Sequence, residues 1–370
     1  MYPTDPYSAP GSEQHLLATD YSRAGLSLMG LVCCLFATVA IRPTAHAATC
    51  IEFYDAEKVG EFANEAISES SGIALSRQHD NLLWTHNDSG DSPRIFALGK
   101  DGASRGIINL EGASARDWEA MALGPCGDET CLYVGDVGDN NAVRESVALY
   151  KVVEPTPRGI GTDQTVTAES LELIYPDGPR DCEGIASDPL TGDILFIEKS
   201  FTAEAKVYLL PADAWEVDAQ PPFTLLSLGE IDFDTDSLTG GLVTGIDISP
   251  SGTELFARTY AAGFHIPLIR DAQNRIIGFE GPRLVNAYDR GQCESVAYDR
   301  TGLELWFTCE DVNGPIARST CKTLQDDPID RVEPADKQGC ATTTTQSPLW
   351  LILLYLAWLR RKRSQLPTHA

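Results

Sequence analysis

The sequence Asp181-Cys182-Glu183-Gly184-Ile185-Ala186 opens a segment that runs to Leu195-Phe196-Ile197-Glu198. A short apolar strand, an Asp-Pro-x-x-Gly turn and a second apolar strand are typical of a β-hairpin. Related segments recur four more times. They begin at Ser71-Gly72-Ile73-Ala74, Glu119-Ala120-Met121-Ala122, Thr244-Gly245-Ile246-Asp247 and Glu294-Ser295-Val296-Ala297. Five copies of one unit predict a repeat architecture.

The spacing of the copies indicates which repeat architecture this is. The aligned positions are Ser71, Glu119, Glu183, Thr244 and Glu294. Intervals of about 50 to 60 residues, filled by short alternating strands and turns, are typical of the four-stranded blades of a β-propeller. We therefore predict an all-β propeller of five four-stranded blades, and the wide middle intervals leave room for a sixth. A β-sandwich is the alternative, although five regular copies are not expected in that fold.

The last repeat lacks a clear outer strand after Cys321. Residues 51–59 precede the first repeat and have strand character. An N-terminal segment that completes the last blade would close the ring and leave no free sheet edge. We therefore predict that the N-terminal segment of the domain closes the propeller.

The two ends of the chain resemble targeting segments. Residues 1–48 are predicted to be a signal peptide, because an apolar stretch at 24–41 is followed by the cleavage pattern Ala45-His46-Ala47. The propeller domain is predicted at 49–335, and 336–347 is a polar linker. Residues 348–363 are predicted to be a membrane anchor or a processed sorting signal, because an apolar run precedes the basic cluster at 360–363. A short tail at 364–370 remains.

These segments predict an exported protein, periplasmic or on the cell surface, which contacts the membrane through a C-terminal helix. The eight cysteines beyond residue 48 agree with an oxidising compartment. We expect Cys126 and Cys131 to staple a hairpin, and we consider Cys340 as the partner of Cys50. No C-x-x-C pair occurs, so the sequence does not support a zinc site.

The formal net charge of −26 argues against nucleic acid as a partner. It is consistent with a solvated acidic surface or with cation binding. We expect a monomer whose ligand is a small molecule or a surface component of unidentified chemistry.

The aligned positions predict the chemistry of the channel. The first strand of each blade lines the axis, and alternation turns one residue per blade inward. Three of the five aligned residues are carboxylates, namely Glu119, Glu183 and Glu294. Converging carboxylates repel one another unless a cation, protons or basic groups compensate them. We predict that these glutamates bind calcium, which prefers oxygen ligands. The alternative is that they pair with the arginines just upstream, Arg116, Arg180 and Arg290.

The ends of the second strands carry another polar set, which we expect to open at one face of the disc. His86 is the one histidine at this predicted mouth, so His86 and Glu198 are the candidate catalytic residues. Asp88, Asp136 and Arg258 are the candidate substrate-binding residues. Each loop has a simpler interpretation, in which Asx side chains satisfy the backbone of their own turn.

The segment Arg180–Ala186, followed by the turn and Ile194–Glu198, resembles a signature of secreted bacterial propellers. The families are the phytase-like (esterase-like) and the SdiA-regulated proteins. The resemblance implies a propeller with a divalent cation near its axis and hydrolysis of phosphoesters or carboxyl esters. The chain departs from β-propeller phytases, because few basic residues occur at the predicted mouth. They are Arg144, Lys199 and Arg258.

Two functions are therefore expected. The first is a metal-dependent ester or phosphoester hydrolase with calcium at its acidic centre. The second is a non-catalytic surface binding module that calcium stabilises.

Overall fold

The computed structural model describes residues 49–215, 222–233, 241–260, 262–285, 287–288 and 292–324. The signal peptide, the linker and the C-terminal segments predicted above lie outside these residues, as does Cys340. The predicted propeller domain is described as far as residue 324.

Nearly all regular structure in the described residues is β-strand. The described part of the chain begins with β1 (Cys50–Phe53) and β2 (Glu57–Glu61). The first blade contains β3 (Ser70–Leu75), β4 (Leu83–Asn87), β5 (Arg94–Leu98) and β6 (Ser104–Glu111). The second contains β7 (Trp118–Cys126), β8 (Glu129–Asp136), β9 (Val147–Val153) and, after β10 (Gln164–Thr167), β11 (Glu169–Ile174). Within each blade, successive strands are antiparallel.

The remaining blades repeat this arrangement. The third contains β12 (Cys182–Ser187), β13 (Ile194–Glu198), β14 (Glu204–Leu210) and, after a 3-10 helix (Ala212–Trp215) and β15 (Phe223–Thr224), β16 (Leu226–Asp232). The fourth contains β17 (Val243–Ile248), β18 (Glu254–Thr259), β19 (Gly263–Arg270), β20 (Ile276–Phe279) and β21 (Arg283–Val285). The fifth contains β22 (Cys293–Tyr298), β23 (Glu304–Cys309) and β24 (Pro315–Leu324). Five blades and an all-β propeller are confirmed.

The N-terminal strands complete the last blade, as the sequence predicts. Both β1 and β2 pair antiparallel with β24, the third strand of the fifth blade. The first strands of the blades meet around the axis in the order β3, β7, β12, β17 and β22, and β22 contacts β3 again. The ring is therefore closed by the two strands that precede the first blade.

Two blades receive a fifth strand from the next blade. Strand β10 lies in the connection within blade two and pairs in parallel with β6 of blade one. Strand β15 lies in the connection within blade three and pairs in parallel with β11 of blade two. These additions cover the outer edges of the first two blades and link neighbouring sheets through backbone hydrogen bonds.

Small residues allow the inner strands to approach one another at the axis. They are Gly72, Ala120, Gly184, Gly245 and Ser295. A Cβ atom on Gly72 would lie 2.6 Å from the backbone nitrogen of Met121 in the next blade. The following position is apolar and buried in every blade, as Ile73, Met121, Ile185, Ile246 and Val296. The recurring pair of a small residue and an apolar residue is therefore explained by close packing around a narrow axis.

Three disulfides occur in the described residues. Cys126 and Cys131 staple a hairpin, as predicted. Cys50 pairs with Cys321, so the expectation of a Cys340 partner is wrong. This disulfide forms because β1 pairs with β24, a contact across the whole chain. Cys293 pairs with Cys309 across β22 and β23, and Cys182 is a buried free thiol.

The predicted contact with a membrane through a C-terminal helix is corrected by the structure. Across the residues that the structure describes, no helix is long and apolar enough to cross a membrane. The segment on which that prediction rested, 348–363, lies outside those residues.

Candidate functional site

A β-bulge occurs at the same position of every inner strand. In the first blade Ser70 pairs with Asn87 and Gly72 with His86, so that Ser71 between them has no partner in the ladder. The same shift leaves out Glu119, Glu183, Thr244 and Glu294 in the other blades. A bulge redirects the extra side chain and is common beside functional sites. The five aligned residues are therefore a ring of bulged residues around the axis, which we call the bulge ring.

The bulge ring lies above an apolar plug. A cavity of about 10 Å³ at the axis is lined by Ser71, Glu119, Glu183 and Thr244, and by the apolar side chains two residues further along the strands. That volume is about what one water molecule requires. All five bulge-ring residues are at most 5% exposed. The centre therefore has room for an ion or a water molecule, and a larger ligand would have to bind at the mouth.

Three carboxylates converge between the first two blades. Oxygen atoms of Asp88, Asp117 and Glu119 all lie within 4.8 Å of one another. Asp88 directly follows β4, Asp117 precedes β7, and Glu119 is the bulged residue of β7. Among the described residues, none of the three forms an ion pair with lysine or arginine. We call this group the carboxylate cluster.

Gly138 makes room for this cluster. A Cβ atom at position 138 would lie 2.6 Å from both Asp117 Oδ2 and Glu119 Oε1. Ser71 fixes the backbone beneath, because its Oγ donates to the Glu119 carbonyl oxygen at 2.8 Å. The cluster is thus held between the start of β7 and the loop after β8.

The cluster resists ionisation. Burial, with contributions from Asp117 and Glu294, raises the pKa of Asp88 to about 6. Burial also raises the pKa of Asp117, although Arg144 opposes this effect. Burial and the charges of Glu183 and Asp88 raise the pKa of Glu119 well above its usual value. A bound cation would reverse these effects, because an opposite charge favours carboxylate ionisation.

The opposite half of the ring is arranged around an ammonium group. Lys199 Nζ forms an ion pair with Glu183 Oε1. It also donates to the Tyr260 hydroxyl at 3.0 Å, and Tyr260 donates to Glu294 Oε1 at 3.0 Å. We call this chain of contacts the lysine network. It links blades three, four and five at the level of the bulge ring.

Two carboxyl groups in this half of the ring, those of Glu183 and Glu310, also have raised pKa values. Burial raises the pKa of Glu183 to about 8, although Lys199 acts in the opposite direction. Burial and the neighbouring Glu294 carboxylate, to which Glu310 is hydrogen-bonded, raise the pKa of Glu310 to about 7. Burial disfavours the Lys199 ammonium, but Glu183 more than compensates and the pKa of Lys199 is raised.

Two oxygen atoms of the ring are buried without a hydrogen-bond partner. They are Glu183 Oε2 and Thr244 Oγ1. Both side chains line the axial cavity, at 3% and 0% exposure. Buried polar atoms are nearly always satisfied, and a water molecule or an ion in the axial cavity would satisfy both of these atoms.

The predicted catalytic residues do not reach the cavity. His86 is fully buried, packs edge-on against Trp118 and has Nδ1 2.8 Å from the Asn87 carbonyl oxygen. Burial lowers the pKa of His86 to about 4. Glu198 accepts a hydrogen bond from the Lys206 backbone and lies 3.6 Å from Arg180. His86 is held between the first two blades, and Glu198 is held by its contacts with Lys206 and Arg180.

The predicted substrate-binding residues differ in their positions. Asp88 belongs to the carboxylate cluster. Asp136 is 1% exposed, accepts from the backbone nitrogens of Arg116 and Asp117, and pairs with Arg144 at 2.8 Å. Asp136 therefore fixes the strand entry that carries Asp117.

Arg258 is also 1% exposed. Its guanidinium donates to the carbonyl oxygens of Cys293 and Tyr288, at 2.6 and 2.5 Å. It ties blade four to blade five.

The predicted metal ligands are divided between two environments. Glu119 joins Asp88 and Asp117, whereas Glu183 and Glu294 belong to the lysine network. A calcium site on all three glutamates stays a prediction.

Asp117 and Tyr260 were missed by the sequence analysis. Asp117 lies two residues before the bulge, in the same place as Asp181 of the quoted motif, so the repeat alignment contained its signal.

Comparisons with known proteins identify no family. No family model matches the chain, and no curated protein matches it. The resemblance to the phytase-like and SdiA-regulated families therefore stays a prediction.

Three solved structures show a low similarity to the chain. The WD40 domain of Pan2 from Neurospora crassa is 12% identical, with 75% of this chain and 99% of that domain covered at a TM-score of 0.37. Raptor from Chaetomium thermophilum is 10% identical over 75% of this chain and 29% of its own length, at 0.36. The Dos1 propeller is 14% identical, with 69% of this chain and 60% of that chain covered, at a TM-score of 0.33. The propeller architecture rests on the strand pairing described above.

Proposed function

We propose that this protein is an exported β-propeller that binds one calcium ion at the mouth of its channel, through the carboxylate cluster. The observation that carries this proposal is the convergence of Asp88, Asp117 and Glu119, none of which forms an ion pair with lysine or arginine within the described part of the chain. Such a set is costly unless a cation compensates it. Calcium accepts six to eight oxygen ligands in flexible geometry, which suits carboxylates contributed by two blades.

Export is supported by the disulfides. Three cystine pairs in one domain are typical of an oxidising compartment. The net charge of −26 attracts cations to the protein surface and repels polyanions, which favours access of a free cation to the site.

The proposal is tested by calcium titration of the metal-free protein. We expect one site by calorimetry and a higher melting temperature with calcium than in EDTA. Saturation at 100 times the dissociation constant would add about 2.7 kcal/mol to the free energy of unfolding. Asp88→Asn and Glu119→Gln should abolish the heat signal. Asp128→Asn and Glu129→Gln, exposed residues of the Cys126–Cys131 hairpin, are matched controls and should leave it unchanged. A wild-type protein that binds neither calcium nor magnesium would refute the proposal.

A role in binding, with calcium holding the mouth in shape, fits the site best. Within the lysine network, Lys199 is already paired with Glu183 and Tyr260. His86 is buried. The ligand would then be a surface component or small molecule that contacts the mouth.

Hydrolysis of an ester or phosphoester is the second candidate. It is favoured by the number of ligands, because three carboxylate side chains leave coordination positions for a water molecule and a substrate oxygen. A divalent ion there would polarise a carbonyl or phosphoryl oxygen. The resemblance to phytase-like propellers points the same way. Turnover of phosphomonoesters or carboxyl esters that is lost in EDTA, in Glu119→Gln and in Glu183→Gln would support it. Calcium binding without turnover on either substrate class would favour the binding module.

A further inference from the structure

The position one residue beyond the second strand differs between the blades. It is Asp88 in the first blade, Val137 in the second, Lys199 in the third, Tyr260 in the fourth and Glu310 in the fifth. Four of these side chains reach the level of the bulge ring. Of these five equivalent positions, one carries a positively charged residue, Lys199.

The ammonium of Lys199 lies where an inorganic cation would find ligands. Its partners are a carboxylate oxygen of Glu183 and the hydroxyl oxygen of Tyr260, and it lies 5.0 Å from the centre of the Tyr260 ring. The Lys199 side chain is 12% exposed. These are oxygen ligands of the kind that calcium accepts.

Other oxygen atoms of the bulge ring are of the same ligand type. Glu183 Oε2 and Thr244 Oγ1 are buried, lack a hydrogen-bond partner and line the axial cavity. Glu294 contributes a carboxylate that Tyr260 contacts. Without the ammonium, Glu183 and Glu294 would have no basic side chain in direct contact, as far as the structure describes the chain. An uncompensated buried charge is strongly destabilising.

We propose that Lys199 is a built-in occupant of a second cation position in the channel, and that it limits the protein to one bound ion. This inference rests on the proposed calcium site at the carboxylate cluster. The ring contains two acidic halves, and Lys199 distinguishes them. Replacement of its charge by a neutral side chain converts the lysine network into a second divalent-cation site on Glu183, Thr244 and Glu294.

The test counts calcium ions per chain in wild type and in Lys199→Met, by calorimetry and by metal analysis after desalting from calcium. We expect one ion in the wild type and two in Lys199→Met. Lys199→Arg keeps the charge, and Lys58→Met removes an exposed lysine; both should bind one ion. If Lys199→Met does not fold in EDTA, it is prepared in calcium and its bound metal is measured directly.

The outcomes separate the two proposals. One ion in both proteins, with unchanged affinity, would overturn the role of Lys199 and leave the carboxylate cluster in place. No ion in the wild type but one in Lys199→Met would support the second position and refute the first. No ion in either protein would refute both.

Discussion

Gly138 lies so close to Glu119 that a Cβ atom at position 138 would stand 2.6 Å from Glu119 Oε1. The same atom would be equally close to Asp117 Oδ2. The backbone dihedrals at Gly138 do not demand glycine, so the requirement is one of space alone. The carboxylate cluster can form because this position lacks a side chain.

Gly138→Ala should therefore weaken calcium binding more than it weakens folding. The methyl group would push both carboxylates out of the cluster, and we expect at least about a tenfold loss of affinity, equivalent to about 1.4 kcal/mol. Calorimetry measures the affinity, and melting in EDTA measures the fold. Gly281→Ala is the matched control, because a Cβ atom there meets nothing within 4 Å. Equal affinity in both variants would contradict the role of Gly138.

The metal-free protein should lose stability as pH rises from about 6.5 to 8.5. The pKa of Glu183 is raised to about 8 and that of Glu310 to about 7. A carboxyl group with a raised folded-state pKa stabilises the fold below its unfolded pKa, and this contribution is lost as pH rises through the folded value. We expect a loss of about 1–3 kcal/mol by chemical denaturation in EDTA.

Below pH 6.5 a second effect enters with the opposite sign. Burial lowers the pKa of His86 and of His265 to about 4, so the folded state disfavours their protonation. Their contribution is lost as pH falls from about 6.5 to 4. Neither histidine belongs to the carboxylate cluster, so the acidic limb should persist when calcium is bound. Metal-free stability that rises between pH 6.5 and 8.5 would contradict the carboxyl assignment.

The disulfides should differ in their contributions to stability. Cys50–Cys321 joins residues 271 apart, whereas Cys126–Cys131 joins residues 5 apart. Chain entropy predicts about 5 kcal/mol for a loop of the first size and about 2 kcal/mol for the second. Paired Cys→Ser variants, unfolded in urea without reductant, measure the difference. The calcium stoichiometry of both variants should equal that of the wild type.

Arg258→Lys should destabilise the protein without changing calcium binding. One ammonium cannot reproduce the two guanidinium bonds to Cys293 and Tyr288, and the side chain is buried. We expect a loss of about 2–4 kcal/mol in the free energy of unfolding. Exposed Arg275→Lys is the control. If Arg258→Lys weakened ligand affinity and left stability unchanged, the original prediction of Arg258 as a substrate-binding residue would be supported.

The fold could be predicted because its determinants are local and repeated. Each inner strand carries the same pattern, with a bulged polar residue, a small residue and an apolar residue, as in Glu183-Gly184-Ile185. The missing outer strand of the last repeat indicated ring closure. The partner of Cys50 was missed, because which cysteine lies opposite depends on the register between β1 and β24.

The site could be predicted in part. Repeat alignment placed Glu119 and Glu183 on the axial cavity. It did not show that they belong to different halves of the ring, because that depends on side chains from the loops after the second strands. Lys199 reaches Glu183 and Asp88 reaches Glu119 through side-chain directions that the sequence pattern does not specify. His86 appeared at the mouth by position, but its ring turns into the packing against Trp118.

The pairing of β1 with β24 makes the domain almost a circle of chain. Its two ends lie side by side, and the Cα atoms of Cys50 and Cys321 are 5.8 Å apart. A circular permutant is therefore within reach: a short linker joins residue 324 to residue 49, and new termini open in the exposed turn at Gly127–Asp128. In such a protein the last blade would be built from one continuous stretch of sequence. The order in which the blades are synthesised would change, and the arrangement of the bulge ring would stay the same.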